Sequence, residues 1–186
     1  KIHQALSQNR LIRFHYYEWT PQKEMHLRRD GKAYEISPWG LTWDDENYYM
    51  VGYDSDAEMI KHFRVDKMLD IEITDQIRRG KERFEKFDLA NYAKKVFGMF
   101  SGEERTEKML CENDLAVAMI DRFGRDVMIH PVDEKHFTVS AGVNVSPQFF
   151  GWLVALGKGV VIESPEDVRE EFREWMRAVM MRYENK

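Results

Sequence analysis

Cationic side chains set among aromatic ones on short strands can hold a planar, anionic ligand. The cation takes the phosphate or carboxylate, and the ring offers a stacking surface. One stretch of this 186-residue chain is built that way. It contains Ser37-Pro38-Trp39-Gly40-Leu41, then Tyr48-Tyr49-Met50-Val51-Gly52-Tyr53, then Lys61-His62-Phe63-Arg64-Val65-Asp66-Lys67. Side chains alternate between the faces of a strand. Tyr49 and Val51 therefore share one face, and Tyr48 and Met50 the other. Likewise Lys61, Phe63 and Val65 share a face, while His62, Arg64 and Asp66 take the opposite one.

Each of these residues also has a plain structural reading. Met50 is best read as core. For Tyr48 and Tyr49 packing and stacking stand level, because a tyrosine joins ring area to a polar tip. Arg64 and Lys61 read either as a solvated strand edge paired to Asp66 or an acidic turn, or as ligand contacts. His62, on the face of Arg64, can donate to a phosphate. Ser37 is held extended by Pro38, and its hydroxyl serves either a ligand or a turn. His15, Tyr17 and Arg13 share a face of an earlier strand and complete the candidate set. Arg28-Arg29 reads first as a solvated pair and second as a nucleic-acid contact.

Other chemistries find no support. The six histidines are scattered and Cys111 has no partner at ligand spacing, so neither a metal site nor a cofactor is expected. No nucleophile elbow, Walker loop or His-Glu-x-x-His occurs, and the chain does not read as an enzyme.

The elements that must position these residues follow from periodicity. Ile2, Ala5 and Leu6 fall at helical spacing, so residues 1–9 read as the end of a helix. Arg10–Tyr17 alternates as a strand. Glu18–Lys32, with Pro21 and Asp30-Gly31, reads as a long connection or irregular hairpin. Strands follow at Tyr34–Trp43, interrupted by Pro38, and at Tyr48–Tyr53, Lys61–Val65 and Met68–Ile73. A turn at Asp44-Asp45-Glu46-Asn47 joins the first two of them. Short strands at this spacing suit a small barrel over residues 10–75. Residues 76–105 read as a helical connector, with Phe84, Phe87, Tyr92 and Val96 at helical spacing from Lys81 to Phe100, ended by Phe97-Gly98-Met99-Phe100-Ser101-Gly102.

Residues 106–186 open a new pattern. A strand at Met109–Glu112 precedes a helix, Asn113–Phe123, stopped at Gly124. A β pair follows at Val127–Ile129 and His136–Val145. Ser146-Pro147 caps the helix Phe149–Leu156. A strand at Val160–Ile162 leads to Ser164-Pro165-Glu166-Asp167, which repeats the cap logic before a last helix to about Tyr183. Met176, Met180 and Met181 on that helix read as apolar packing or a dimer face. The order β-α-β-β-α-β is ferredoxin-like. The fold class is α+β, a small SH3- or Sm-like barrel followed by a ferredoxin-like domain with a terminal helix.

Bulk composition narrows the partners. The net charge is −5, whereas a domain that grips duplex DNA through many phosphates is usually basic. Any nucleic acid must be short or single-stranded and locally gripped. No run of about 18 apolar residues suggests a membrane span, and the single cysteine argues against a secreted disulfide scaffold. A cytoplasmic location is expected. The start at Lys1 reads as a piece whose natural N-terminus lies upstream.

The three blocks from Ser37 to Lys67 resemble the WYL domain of bacterial transcription regulators. Tyr48-Tyr49-Met50 stands where the family usually has Trp-Tyr-Leu. Pro38-Trp39-Gly40-Leu41 matches the block before it, and Lys61-His62-Phe63-Arg64-Val65-Asp66-Lys67 the block after, with Lys61-His62 where the family often has Arg. Arg grips phosphate with a planar fork and Lys as a point charge. The second half is similar to the extension that commonly follows this domain, through Pro147-Gln148-Phe149-Phe150-Gly151-Trp152-Leu153 and Glu163-Ser164-Pro165-Glu166. The resemblance implies an effector sensor, with single-stranded nucleic acid or a nucleotide as the leading ligand and Arg64 as its first contact. Around it stand His62, Lys61, Ser37, Tyr49, Tyr48, His15 and Arg13. It also implies a homodimer, with duplex DNA reached only through an upstream winged helix-turn-helix. A module that only mediates protein interaction or dimerisation is the alternative.

Overall fold

The computed structural model describes residues 1–44, 46–85, 89–96 and 103–184. They form two units, Lys1–Ala93 and Lys94–Lys186.

The first unit opens with helix α1 (Ile2–Ser7) and strand β1 (Arg10–Trp19), followed by β2 (Met25–Leu27), β3 (Tyr34–Asp44), β4 (Asn47–Asp54), β5 (Met59–Arg64) and β6 (Met68–Ile77). These strands make an antiparallel sheet in the order β2-β1-β3-β4-β5, with β6 also paired to β1. Because β1 is long, its start pairs with β6 and its end with β2, and the sheet curls into a half-barrel. The irregular hairpin expected after Tyr17 is β2 plus a 3-10 turn at Arg28–Gly31. The interruption expected at Pro38 is a register shift between Pro38 and Gly40 that bulges out Trp39, as prolines within sheets require.

Alternation fixes the inner face. Ile12, Phe14, Tyr16, Tyr34, Ile36, Met50, Phe63 and Met68 are buried together with Ile2 and Ala5 of α1. Phe63 meets Phe14, Tyr34 and Tyr16 edge-on, with ring centroids 5.1, 5.2 and 5.4 Å apart, a favoured aromatic geometry. The backbone N–H of Arg64 donates to the Tyr16 hydroxyl at 3.0 Å, tying the end of β5 to β1. Gly52 lies on this packed side. A Cβ there would stand 2.5 Å from Ile36 Cγ2 and 3.0 Å from the Ser37 carbonyl.

Among the described residues of the connector are two short helices, α2 (Lys81–Phe84) and α3 (Leu89–Lys95). Phe87, the stop at residues 97–102 and Asp45 of the β3–β4 turn lie outside the described residues.

The second unit contains β7 (Glu103–Glu112), α4 (Ala116–Phe123), β8 (Met128–Pro131), β9 (His136–Val145), α5 (Pro147–Ala155), β10 (Val160–Ser164) and α6 (Glu166–Glu184). Its sheet is antiparallel in the order β10-β7-β9-β8, the ferredoxin-like arrangement in which the first and third strands are central. β7 begins well ahead of the expected Met109. The core joins Met109, Val139 and Val143 of the sheet to Met119, Phe149, Phe150, Leu153 and Val168 of the helices. Ser146 caps α5 as expected, its hydroxyl accepting from the Phe149 N–H at 3.2 Å. Gly124 ends α4 with φ 94°. Among the described residues no helix is long and apolar enough to cross a membrane.

Candidate ligand face of the half-barrel

Strand register assembles part of the candidate set. Gly40, Val51 and His62 stand opposite one another across β3, β4 and β5, and the next row on the same face is Thr42, Tyr49 and Arg64. The two rows form the outer face, away from Met50 and Phe63. Tyr49 is half-buried and directly opposite Arg64.

Arg64 ends β5. Its Nε donates to Asp66 Oδ1 at 3.1 Å and its Nη2 to Asp66 Oδ2 at 2.8 Å. This two-pronged bond raises the guanidinium pKa above its ordinary value and lowers that of Asp66. The side chain keeps 32% of its surface open. It is thus a positioned cation, held in the plane of its fork, with surface left for an anion.

The neighbouring row is covered. Leu89 of α3 lies over Gly40, where a Cβ would be 2.7 Å from Leu89 Cδ2. Tyr92 stacks on His62 at 5.5 Å between centroids and 29° between planes. Val51, between them, is fully buried.

Ser37 has the parity of this face but lies beneath the chain that follows β6. It is fully buried, and its hydroxyl accepts from the Arg79 N–H at 2.9 Å. Trp39 locks the same segment. Its Nε1 donates to the Arg79 carbonyl at 2.9 Å, Phe84 stacks on it at 4.9 Å, and the Arg78 guanidinium sits 4.2 Å above its ring. Arg78 also donates to the Pro38 carbonyl and to Asn9 Oδ1.

The remaining candidates point elsewhere. Lys61 has the parity of Phe63, and its Nζ meets Asp54 Oδ2 at 2.6 Å. Asp54 is 2% exposed, and Arg29 is a second cation 3.6 Å away. Burial opposes its ionisation, but bonds from Lys61, Ala57 N–H and Asp56 N–H outweigh that and hold its pKa below the usual carboxylate range. Arg29 lies over the Tyr34 ring at 4.2 Å; Arg28 is 3.6 Å from Glu18. Tyr48 is exposed, packed edge-on against Trp43 at 4.6 Å. Arg13 pairs with Glu35 at 2.6 Å, and His15 lies 3.4 Å from Asp70. Tyr17, read as sharing their open face, is buried.

The WYL domain family matches residues 1–73 and the WCX domain family residues 108–180. The chain thus carries a WYL domain followed by a WCX domain. No curated protein matches its sequence. Among solved structures, proteasome accessory factor B/C (PafBC) of Arthrobacter aurescens aligns with 98% of this chain and 26% of its own, at 20% identity and a TM-score of 0.39. A CRISPR Cas-related protein aligns with 99% of this chain and 50% of its own, at 15% identity and a TM-score of 0.50. The latter is a likeness of fold. The chain spans about a quarter of the first and half of the second.

The structure therefore brings Tyr49, Arg64 and His62, all within the WYL match, to one face. Thr42, Asp66 and Tyr92 join them, and none of these was singled out as a ligand contact from sequence. Asp66 had a signal, since it alternates in phase with Arg64. Thr42 had none without the β3–β4 register. Tyr92 was visible only as a helical aromatic.

Proposed function

We propose that this chain is the effector-sensing portion of a bacterial DNA-binding transcription regulator. Its WYL domain would bind a short anionic ligand, single-stranded nucleic acid or a nucleotide, on the outer face of β4 and β5. The observation that carries this reading is the Thr42–Tyr49–Arg64 row. A ring and a forked cation stand side by side across two strands, half-open to solvent, with the guanidinium already oriented. Stacking area beside an oriented cation suits a base and its phosphate and needs no sequence code. The net charge of −5 supports a local grip on a short ligand over a long duplex. The role is binding, not catalysis. Duplex DNA would be engaged by a separate upstream domain, the working unit would be a homodimer, and the compartment the cytoplasm. Ligand must favour one arrangement of the two chains over another to regulate anything.

A second reading, a module that only builds an assembly, draws on α6. Val179, Met180, Met181 and Tyr183 are exposed near its C-terminal end. The two readings separate in one experiment, thermal unfolding of the chain with and without a short oligothymidylate or thymidine monophosphate. The sensing reading predicts a melting temperature that rises with ligand concentration. A melting temperature unmoved by any anionic ligand, with loss of the dimer on removing residues 106–186, would favour the second.

A further inference from the structure

The outer face carries an aromatic ring, Tyr92, stacked over His62. Row spacing along a strand is two residues, roughly 7 Å, so His62 and Arg64 are adjacent positions on one surface. Arg64 is held in place by Asp66 with part of its side chain open. His62, beside it, is a flat ring whose stacking partner is Tyr92. Tyr92 reaches it from α3, a helix of seven residues, too short to persist on intrinsic propensity. Among the described residues, side-chain contacts that seat α3 on the sheet include Leu89 over Gly40 and Tyr92 over His62. A helix this short depends on such contacts to stay in place.

We infer that the face over His62 is a stacking subsite for a planar heteroaromatic ring, such as a nucleobase, and that Tyr92 fills it until a ligand displaces α3. The ligand class is a ring bearing a nearby anionic group. The ring stacks on His62 and the anion meets Arg64. This rests on the ligand face proposed above and adds its gate. Gly40 is part of the design, since any side chain there would push Leu89 away.

The test is a binding titration of a short fluorescein-labelled oligothymidylate by anisotropy, with thymidine monophosphate as competitor. It compares the wild-type chain, Tyr92→Ala and Gly40→Val, each checked for folding by circular dichroism. Both variants should bind on the order of tenfold tighter than wild type, the size of one relieved stacking contact. Adding Arg64→Ala to Tyr92→Ala should remove the gain. Competition by the monophosphate at similar strength would mark a free nucleotide as sufficient, and its failure would mark a strand. Wild-type binding with no gain in folded Tyr92→Ala or Gly40→Val would overturn the stacking subsite and leave the ligand face standing. Absence of binding by all three would overturn both.

Discussion

Arg64 and Asp66 are joined by two parallel hydrogen bonds, Nε to Oδ1 at 3.1 Å and Nη2 to Oδ2 at 2.8 Å, at the open end of the candidate ligand face. The carboxylate fixes the guanidinium's plane and also competes with any incoming anion. Asp66→Asn keeps the shape and removes the competing charge. It should raise affinity for a short anionic ligand a few-fold, since a partly exposed pair is worth at most about 1 kcal/mol. The salt dependence of binding should steepen. Titrations at low and moderate salt check both; weaker binding by Asp66→Asn would show that orientation outweighs competition.

Ser37 belongs to the fold. Its buried hydroxyl accepts from the Arg79 N–H, so Ser37→Ala leaves that donor unsatisfied at a cost of about 1–3 kcal/mol. The melting temperature should fall while the affinity for oligothymidylate stays at the wild-type value. Lost affinity with unchanged stability would return Ser37 to the ligand set.

Glu107 sets a pH dependence in the second unit. It is fully buried on β7, and neither oxygen has a hydrogen-bond partner among the described residues. Burial raises its pKa from an ordinary 4.5 to about 7; Arg105 opposes the rise, and Asp167 and Glu171 add to it. The unfolded chain ionises this group first. Its contribution to stability therefore declines as pH rises from 4.5 to about 7 and levels off above. A shift of this size corresponds to roughly 3 kcal/mol across that window. Glu107→Gln should remove the decline, so the difference in unfolding free energy between variant and wild type should grow with pH. A difference that is flat across the same window would contradict the assignment.

Gly52 is required by packing. A Cβ would press on Ile36 Cγ2 and the Ser37 carbonyl, and a carbonyl cannot move aside as a side-chain tip can. Gly52→Ala should cost about 1–3 kcal/mol by overpacking, read as a lower denaturation midpoint. An unchanged midpoint would mean that the strands part without strain.

Much of this architecture was legible because alternation and caps are local signals. The β9 strand spans His136–Val145 as its pattern reads, Ser146 caps α5, and the βαββαβ order carries directly into the sheet. The inner face of the half-barrel followed from Phe14, Met50 and Phe63 in phase. What was not legible depends on partners far along the chain. Lys61 and Arg64 look alike in sequence, yet one pairs with buried Asp54 on the side of Phe63 and the other with exposed Asp66 on the outer face. Trp39 and Ser37 are claimed by the segment of Arg78 and Arg79, about forty residues on. The connector's helical spacing hid that its short helices are seated by contacts with β3 and β5, through Gly40 and His62. Glu107 did carry a signal, for it stands in phase with Met109 and Cys111 and so on the core side of its strand.

A grip on a short anionic ligand by the Thr42–Tyr49–Arg64 row requires the Arg64 guanidinium. The most direct measurement is the affinity of the wild-type chain and of Arg64→Ala for a short oligothymidylate at one fixed salt concentration, both proteins shown to melt alike. Loss of one charge-assisted contact predicts binding weaker by on the order of tenfold or more in Arg64→Ala. Equal affinities would mean that Arg64 does not hold the ligand.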